Sequence, residues 1–249
     1  MKTFRLHSKI MKTVKTVLLL CSFMLLGCED GFLSQDTEIA QGLKSALEVG
    51  SKFALNTLGK QDGFYKDIAV KIGLPQDVAK IVKQIAAIPV VGNGIKAIEE
   101  ELVLAINRAA EVAIEDVIPI VGKSITEMTI QDAKGILFDA NKYAATDYLK
   151  KKTYDPLCNA CSTIIESALN KKIIANASAQ DVWGQFTDIY NKVAQTGLVD
   201  HLETNLSLYT TQKALDGVFK KVGDEEVKIR TDISARTSDL LQKIFGMQD

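Results

Sequence analysis

The chain has 249 residues, with 30 basic and 31 acidic side chains and a formal net charge of −1 at pH 7. Five of the basic residues and none of the acidic ones lie within residues 1–27, so the remaining 222 residues carry 25 basic against 31 acidic side chains, a net charge of −6. This acidic balance argues against nucleic-acid binding, which normally requires a basic surface.

The N-terminal segment has the pattern of a secretory signal. Five basic residues and no acidic residue lie in the first 16 positions, and an apolar run of about ten residues follows from Val17 to Leu26. The run is too short to cross a bilayer as a helix, which takes about 20 residues, although an uncleaved membrane anchor remains the alternative. Either Met1 or Met11 can serve as the initiator.

The segment Leu25-Leu26-Gly27-Cys28 resembles the lipobox of bacterial lipoproteins. The resemblance implies cleavage after Gly27, so that residues 1–27 are the signal peptide. It also implies a diacylglycerol and further acyl chains, such as palmitate, on Cys28. Two or more chains give stable anchoring, so we predict that the protein is held to a membrane through acylated Cys28.

The residues that follow Cys28 indicate in which membrane the protein is anchored. Glu29 is not the aspartate that is associated with inner-membrane retention in many enteric bacteria. We therefore expect a cell-envelope protein in the outer membrane that faces the periplasm, with surface exposure as the alternative. Residues 28–36 form the predicted lipidated tether, and its eight residues after Cys28 reach about 27 Å at most.

Residues 37–249 predict a single all-α domain, a bundle of about eight to ten helices with no sheet. Apolar residues recur at spacings of three and four, as in Ile98, Leu102 and Ala105, and no run alternates in polarity. Pro119 and Pro156 are each predicted to open a helix, and Thr129 and Ser178 are predicted caps. The predicted helices cover residues 37–58, 76–88, 95–118, a segment from 119, 130–138, 144–152, 156–172, a segment after 178, 206–230 and 238–245.

Segments spread over about residues 43–246 carry a family resemblance. Among them are Val-Lys-Ile-Gly-Leu-Pro at 70–75, Met-Thr-Ile-Gln-Asp-Ala-Lys-Gly-Ile-Leu at 128–137 and Ala-Arg-Thr-Ser-Asp-Leu-Leu at 235–241. In this order they resemble the bacterial domain-of-unknown-function family 4197. The resemblance implies a helical exported protein, often a lipoprotein, with no established activity. The chain departs from that pattern at residues 138–141, where an expected glycine is absent.

Charged and polar residues within these segments are candidates for a functional site. Asn107 and Glu111 lie four residues apart on one predicted helical face, with Arg108 beside them. The other members of the candidate cluster are Asp147, Asp216, Glu226, Arg230, Arg236 and Asp239. They predict either a polar cleft with paired carboxylates for acid–base chemistry, or ion pairs and caps that fix helix register. We favour the structural interpretation because ion-pair networks often resemble sites.

Cysteine and histidine limit the chemistry further. Once the leader is removed and Cys28 is acylated, Cys158 and Cys161 are the remaining cysteines and His201 is the remaining histidine. The spacing of the two cysteines occurs in redox motifs, but no strand precedes them, so a local disulfide or two free thiols is favoured. A lone histidine beside Asp200 is expected on the surface. We expect no metal site and no cofactor.

The sequence therefore favours a lipid-anchored binding or scaffold module whose partner is an unknown envelope protein or ligand. One alternative is an envelope hydrolase that uses carboxylates and arginine on a glycan or peptide, and another is a carrier with an apolar cavity. Convergence of Glu111, Asp147, Asp216 and Arg236 in a deep pocket would favour the enzyme. Tight pairing of these residues would favour the scaffold.

Overall fold

Eight α-helices build the fold of the residues that the structure describes. The computed structural model describes residues 34–89, 92–174 and 176–249. The helices are α1 (Gln35–Leu58), α2 (Gln76–Ala86), α3 (Gly92–Glu127), α4 (Ala133–Leu137), α5 (Ala144–Leu169), α6 (Ala179–Ala194), α7 (Leu206–Thr231) and α8 (Asp239–Phe245). These ranges contain no strand, only an isolated bridge between Ile174 and Ala177. The all-α prediction is confirmed.

The four long helices α1, α3, α5 and α7 enclose one continuous apolar core. Helices α1 and α7 run antiparallel, because Gly50 lies against Val222 whereas Phe64, beyond the end of α1, lies against Gly217. At Gly42 a Cβ atom would come within 2.6 Å of the Ile244 side chain, so the first turns of α1 lie directly on α8. None of the eight helices described is long and apolar enough to cross a membrane.

The first helix begins two residues earlier than predicted. Helix α1 starts at Gln35 because the Ser34 hydroxyl accepts a hydrogen bond from the Thr37 N–H at 3.3 Å. The predicted tether therefore loses its last two residues to the helix. The predicted signal peptide 1–27, Cys28 and the tether up to residue 33 lie outside the described residues.

The prediction that Pro119 opens a helix is wrong, because α3 continues through it. Pro119 is exposed, whereas Ile114, Val117 and Val121 are buried at spacings of three and four on the opposite side. A proline costs one backbone hydrogen bond. Packing of the continuous apolar face outweighs that cost.

Pro156 repeats this arrangement within α5, so the predicted pair of helices 144–152 and 156–172 is one helix. The buried residues Leu149, Thr153, Leu157 and Cys161 follow at spacings of four straight across the exposed proline. Burial on one face therefore maintains the helix through a residue that would otherwise end it.

The segment between α3 and α5 also differs from its prediction. Thr129 does not cap a helix over residues 130–138. Instead, the Asp132 carboxylate accepts the Gly135 N–H at 2.9 Å and starts the five-residue helix α4. The Ser178 cap of α6 is confirmed, because its hydroxyl accepts the Asp181 N–H and the Asp181 carboxylate accepts the Ser178 N–H.

Candidate functional site

The candidate residues from the sequence are distributed over α3, α5, α7, α8 and the turn after α7. They do not meet in one cleft. Instead, each group binds a different part of the backbone or forms a different ion pair at the surface.

Glu111 of α3 is buried and receives hydrogen bonds from three donors. Its Oε1 atom accepts the backbone N–H groups of Phe64 at 3.0 Å and Tyr65 at 3.1 Å. Its Oε2 atom accepts a hydrogen bond from Arg108 at 2.6 Å. The carboxylate therefore ties the loop between α1 and α2, residues 59–75, to the middle of α3. We call this the 59–75 loop.

Arg108 extends the same attachment. Its second guanidinium nitrogen lies 2.5 Å from Asp62, which adopts the left-handed backbone conformation with φ of 70°. Hydrogen bonds from Lys66 and Arg108 lower the pKa of the Asp62 carboxyl. The pair therefore fixes the sharp turn with which the 59–75 loop begins.

Asn107 holds the far end of the 59–75 loop. Its Oδ1 atom accepts the Ile72 N–H at 2.9 Å, and its Nδ2 donates to the Ile72 carbonyl at 2.7 Å. The same Nδ2 donates to the Val103 carbonyl at 2.7 Å. The side chain is fully buried, so it satisfies both polar groups of Ile72 in a place where they are out of reach of water.

Glu226 of α7 repeats the arrangement of Glu111 at the start of α5. Its Oε1 accepts the Ala145 N–H at 3.0 Å, and its Oε2 accepts the N–H and the hydroxyl of Thr146, both at 2.7 Å. Arg230 donates to Oε1 at 2.9 Å and to the carbonyls of Leu137 and Ile136 at 2.7 and 3.0 Å. One ion pair thus caps the N-terminus of α5 and the C-terminus of α4.

Arg236 follows α7 and is buried. Its Nε donates to the Ile229 carbonyl at 3.0 Å, and its two terminal nitrogens donate to Asp249 at 2.6 and 2.8 Å. The guanidinium lowers the pKa of the Asp249 carboxyl. Asp239 lies in the first turn of α8, where a carboxylate is favourable to the helix dipole.

Asp147 and Asp216 lie nearer the surface. Asp147 accepts a hydrogen bond from the Asn141 amide at 2.8 Å, and Asp216 accepts one from Lys150 at 2.8 Å. Since these carboxylates and those of Glu111 and Glu226 have separate partners on separate elements, the arrangement is one of helix caps and ion pairs.

Cys158 and Cys161 are buried and free in the structure. They lie in the interior of α5, so the helix N-terminus that would lower a thiol pKa is absent from their surroundings. Burial raises the pKa of Cys158, and it raises that of Cys161 to about 11, with a smaller effect from Cys158. His201 is exposed, as expected.

Asp77 is a structural residue that the sequence did not indicate. It lies in the first turn of α2 and accepts hydrogen bonds from the Thr204 hydroxyl at 2.5 Å and from the N–H groups of Thr204 and Glu203 at 3.0 and 3.2 Å. An acidic residue just after Pro75 was the available signal, but the segment that it holds lies more than 120 positions away.

Open grooves mark the described surface. One of them, of about 650 Å³, lies between α5, α6 and the start of α7 and is lined by Asn170, Trp183 and Asn205, among others. A second, of about 370 Å³, contains Glu127, Tyr148 and Lys152. Within the described ranges no three His, Cys, Asp or Glu side chains are grouped to hold a metal ion.

Comparison with known proteins gives one family. Residues 33–246 match the model of a family described as "Protein of unknown function (DUF4197)". Neither the curated proteins nor the solved structures give a match. The matched region spans most of the chain. It includes the buried side chains of Asn107, Glu111, Glu226 and Arg236, which bind distant parts of the backbone. The resemblance seen in the sequence is thus confirmed, and the chain belongs to the DUF4197 family.

Proposed function

We propose that this protein is a lipid-anchored module of the cell envelope that acts by binding, holding a partner protein or ligand near the membrane, rather than by catalysis. One observation supports the proposal most directly. The buried carboxylates of Glu111 and Glu226 accept hydrogen bonds from backbone N–H groups and neighbouring side chains, and buried Arg236 donates to a backbone carbonyl and to the Asp249 carboxylate.

A general acid or base must reach the proton of a substrate within hydrogen-bond distance. Glu226 already accepts four hydrogen bonds, which fill the sites of a carboxylate. Glu111 accepts three, two of them from backbone N–H groups. These contacts leave little capacity for a substrate and suit carboxylates that organise the fold.

Such contacts hold parts of the protein surface in a fixed position. The 59–75 loop is held at both ends by α3, and the start of α5 is held by α7. A binding surface gains affinity when its groups are ordered before the partner arrives. The attachments therefore favour a module that presents fixed surfaces at the 59–75 loop and at the start of α5.

The anchor is tested by replacing Cys28 in the full chain, expressed in a Gram-negative host and labelled with radioactive palmitate. Cys28→Ser should lose the label and move from the membrane to the soluble fraction, because no acyl chain remains. Cys21→Ser is the matched control, since Cys21 lies in the predicted signal peptide, seven residues before Cys28, and its replacement should leave both readouts unchanged. An unchanged membrane fraction for Cys28→Ser would contradict the anchor.

The choice between binding and catalysis is tested at the accessible carboxylates. Asp147→Asn and Asp216→Asn keep side-chain size and remove the charge that acid–base chemistry needs. If the protein acts by binding, both variants should complement a deletion strain, and crosslinking in intact cells should capture the same partner with each. Loss of complementation by a folded variant would instead support the hydrolase.

A further inference from the structure

The position of the membrane relative to the domain follows from where the chain leaves it. Helix α1 begins at Gln35, and its first turns lie on two short helices. Asp36 is 3.0 Å from Lys134 of α4, Glu38 pairs with Lys243 of α8, and Gly42 lies against Ile244. The tether therefore leaves the domain beside α4 and α8.

The C-terminal end of α7 lies at this same end. Arg230, in its last turn, donates to the Leu137 carbonyl of α4 at 2.7 Å, and Gln248 donates to that carbonyl as well. Arg236 binds Asp249. We call this part of the molecule the anchor end: the first two turns of α1, α4 with residues 138 and 139 that follow it, the last turn of α7 and residues 232–249.

Three large apolar side chains are exposed at the anchor end. Phe138 follows Leu137 and is 54% exposed, and Met247 precedes Gln248 and is 38% exposed. Ile233 lies in the turn after α7 and is 66% exposed. Each lies within three residues of the contacts that Arg230 and Gln248 make with Leu137, so all three lie at the end of the domain from which the tether departs.

From this juxtaposition we infer that the anchor end faces the bilayer and that Phe138, Ile233 and Met247 enter the lipid interface as a second, non-covalent contact. The inference rests on the proposed acylation of Cys28. The six chain steps from Cys28 to Ser34 span about 20 Å at most, whereas the 26 residues of α7 extend for about 39 Å away from this end. The anchor end is thus the part of the domain that lies nearest the lipid.

The short tether favours a lipid surface over a second copy of the chain as the occupant. The anchor end carries five exposed aspartates, Asp36, Asp139, Asp232, Asp239 and Asp249, of which Asp36 pairs with Lys134 and Asp249 pairs with Arg236. Lys228 and Lys243 are exposed there as well, so charges of both signs surround the apolar side chains. A tether of about 20 Å keeps this end beside the bilayer, and a zwitterionic bilayer accepts exposed apolar side chains.

Quenching of tryptophan fluorescence by brominated lipid tests the orientation. The acylated full chain is reconstituted into phosphatidylcholine vesicles with brominated acyl chains, and Phe138→Trp, Ile233→Trp and Met247→Trp are compared. Leu208→Trp is the matched control, because Leu208 is 46% exposed in the first turn of α7, at the end of that helix opposite to Ile233. Trp183 is buried and remains in every variant as a common background.

The three anchor-end variants should be quenched several-fold more strongly than Leu208→Trp. Equal quenching in protein that floats with the vesicles would overturn the orientation and leave the lipid anchor intact. Protein that fails to float would overturn the anchor itself and the orientation with it. If Phe138→Cys forms a crosslinked dimer and the variants are not quenched, a second copy occupies the face and the inference is wrong.

Discussion

Replacing Glu226 by glutamine tests whether a buried carboxylate holds the start of α5. The four groups that contact it are all donors: the N–H groups of Ala145 and Thr146, the Thr146 hydroxyl and the Arg230 guanidinium. A glutamine has one oxygen and one NH₂ group, and the NH₂ must face donors whichever way the amide is turned. The substitution therefore leaves buried N–H groups without an acceptor.

The cost can be estimated from these contacts. A hydrogen bond to a charged group and an unsatisfied buried donor each contribute roughly 1–3 kcal/mol, so Glu226→Gln should lower the free energy of unfolding by about 2–3 kcal/mol. Both substitutions leave the Arg230 charge without its carboxylate, and Glu226→Ala also removes every acceptor for the four donors, so it should cost about 3–5 kcal/mol. Since domains are stable by only about 5–15 kcal/mol, both effects are large.

Equilibrium unfolding in urea, followed by circular dichroism, measures the effect. Glu226→Gln should lower the midpoint by about 1 M with an unchanged slope. Asp224→Asn, two residues away, is the control, because its pairing with Lys220 is an exposed i,i+4 contact and should contribute only about 0.3–0.5 kcal/mol. If Glu226→Gln shifts the midpoint no more than Asp224→Asn does, the capping argument is refuted.

Three further predictions concern other buried groups. Asn107→Leu leaves both backbone groups of Ile72 unpaired, so it should lower the free energy of unfolding in urea by about 2–3 kcal/mol and speed proteolysis within the 59–75 loop. Unchanged stability would contradict the role of Asn107 in holding this loop. Cys161, whose pKa burial raises to about 11, should resist iodoacetamide at pH 8 in the folded protein and react within minutes in urea; rapid alkylation of the folded chain would contradict its burial. Although burial raises the pKa of Asp77, hydrogen bonds from Thr204 and three N–H groups lower it by more, so its stabilisation is complete above the ordinary value of 3.8 and is lost as the pH falls through the lowered pKa. Between pH 5 and pH 2, the urea midpoint of Asp77→Asn should therefore fall by less than that of the unmodified protein. Equal falls in the two proteins would exclude this contribution.

The sequence predicts helical faces well because burial follows a period that can be read along the chain. Helix α7 was expected over residues 206–230 and is observed at Leu206–Thr231. The two helix-opening predictions at Pro119 and Pro156 are wrong for a shared reason. Each prediction rests on the low helix propensity of proline. The apolar spacing continues past each proline on the opposite face of the helix, and burial of that face keeps the helix intact.

The candidate site was less predictable because its contacts join positions that are distant in sequence. Asn107 and Glu111 were placed correctly on one helix, but their partners are backbone groups 35 to 47 positions earlier. Glu226 reaches residues 80 and 81 positions earlier. A carboxylate that caps a remote backbone has the same local sequence as one that faces a cleft, so the distinction requires the fold.

The antiparallel pair of α1 and α7 also determines when the domain can form. Helix α1 is made first, yet it shares its largest interface with a helix that begins only at Leu206. A chain emerging from the ribosome therefore keeps the part of α1 that packs on α7 uncovered until nearly all residues are available, although α3 and α4 can cover the rest of it earlier. Such distant pairings close late, so this contact forms only when synthesis is nearly complete. A truncation before α7 should leave this face of α1 open to proteases and chaperones.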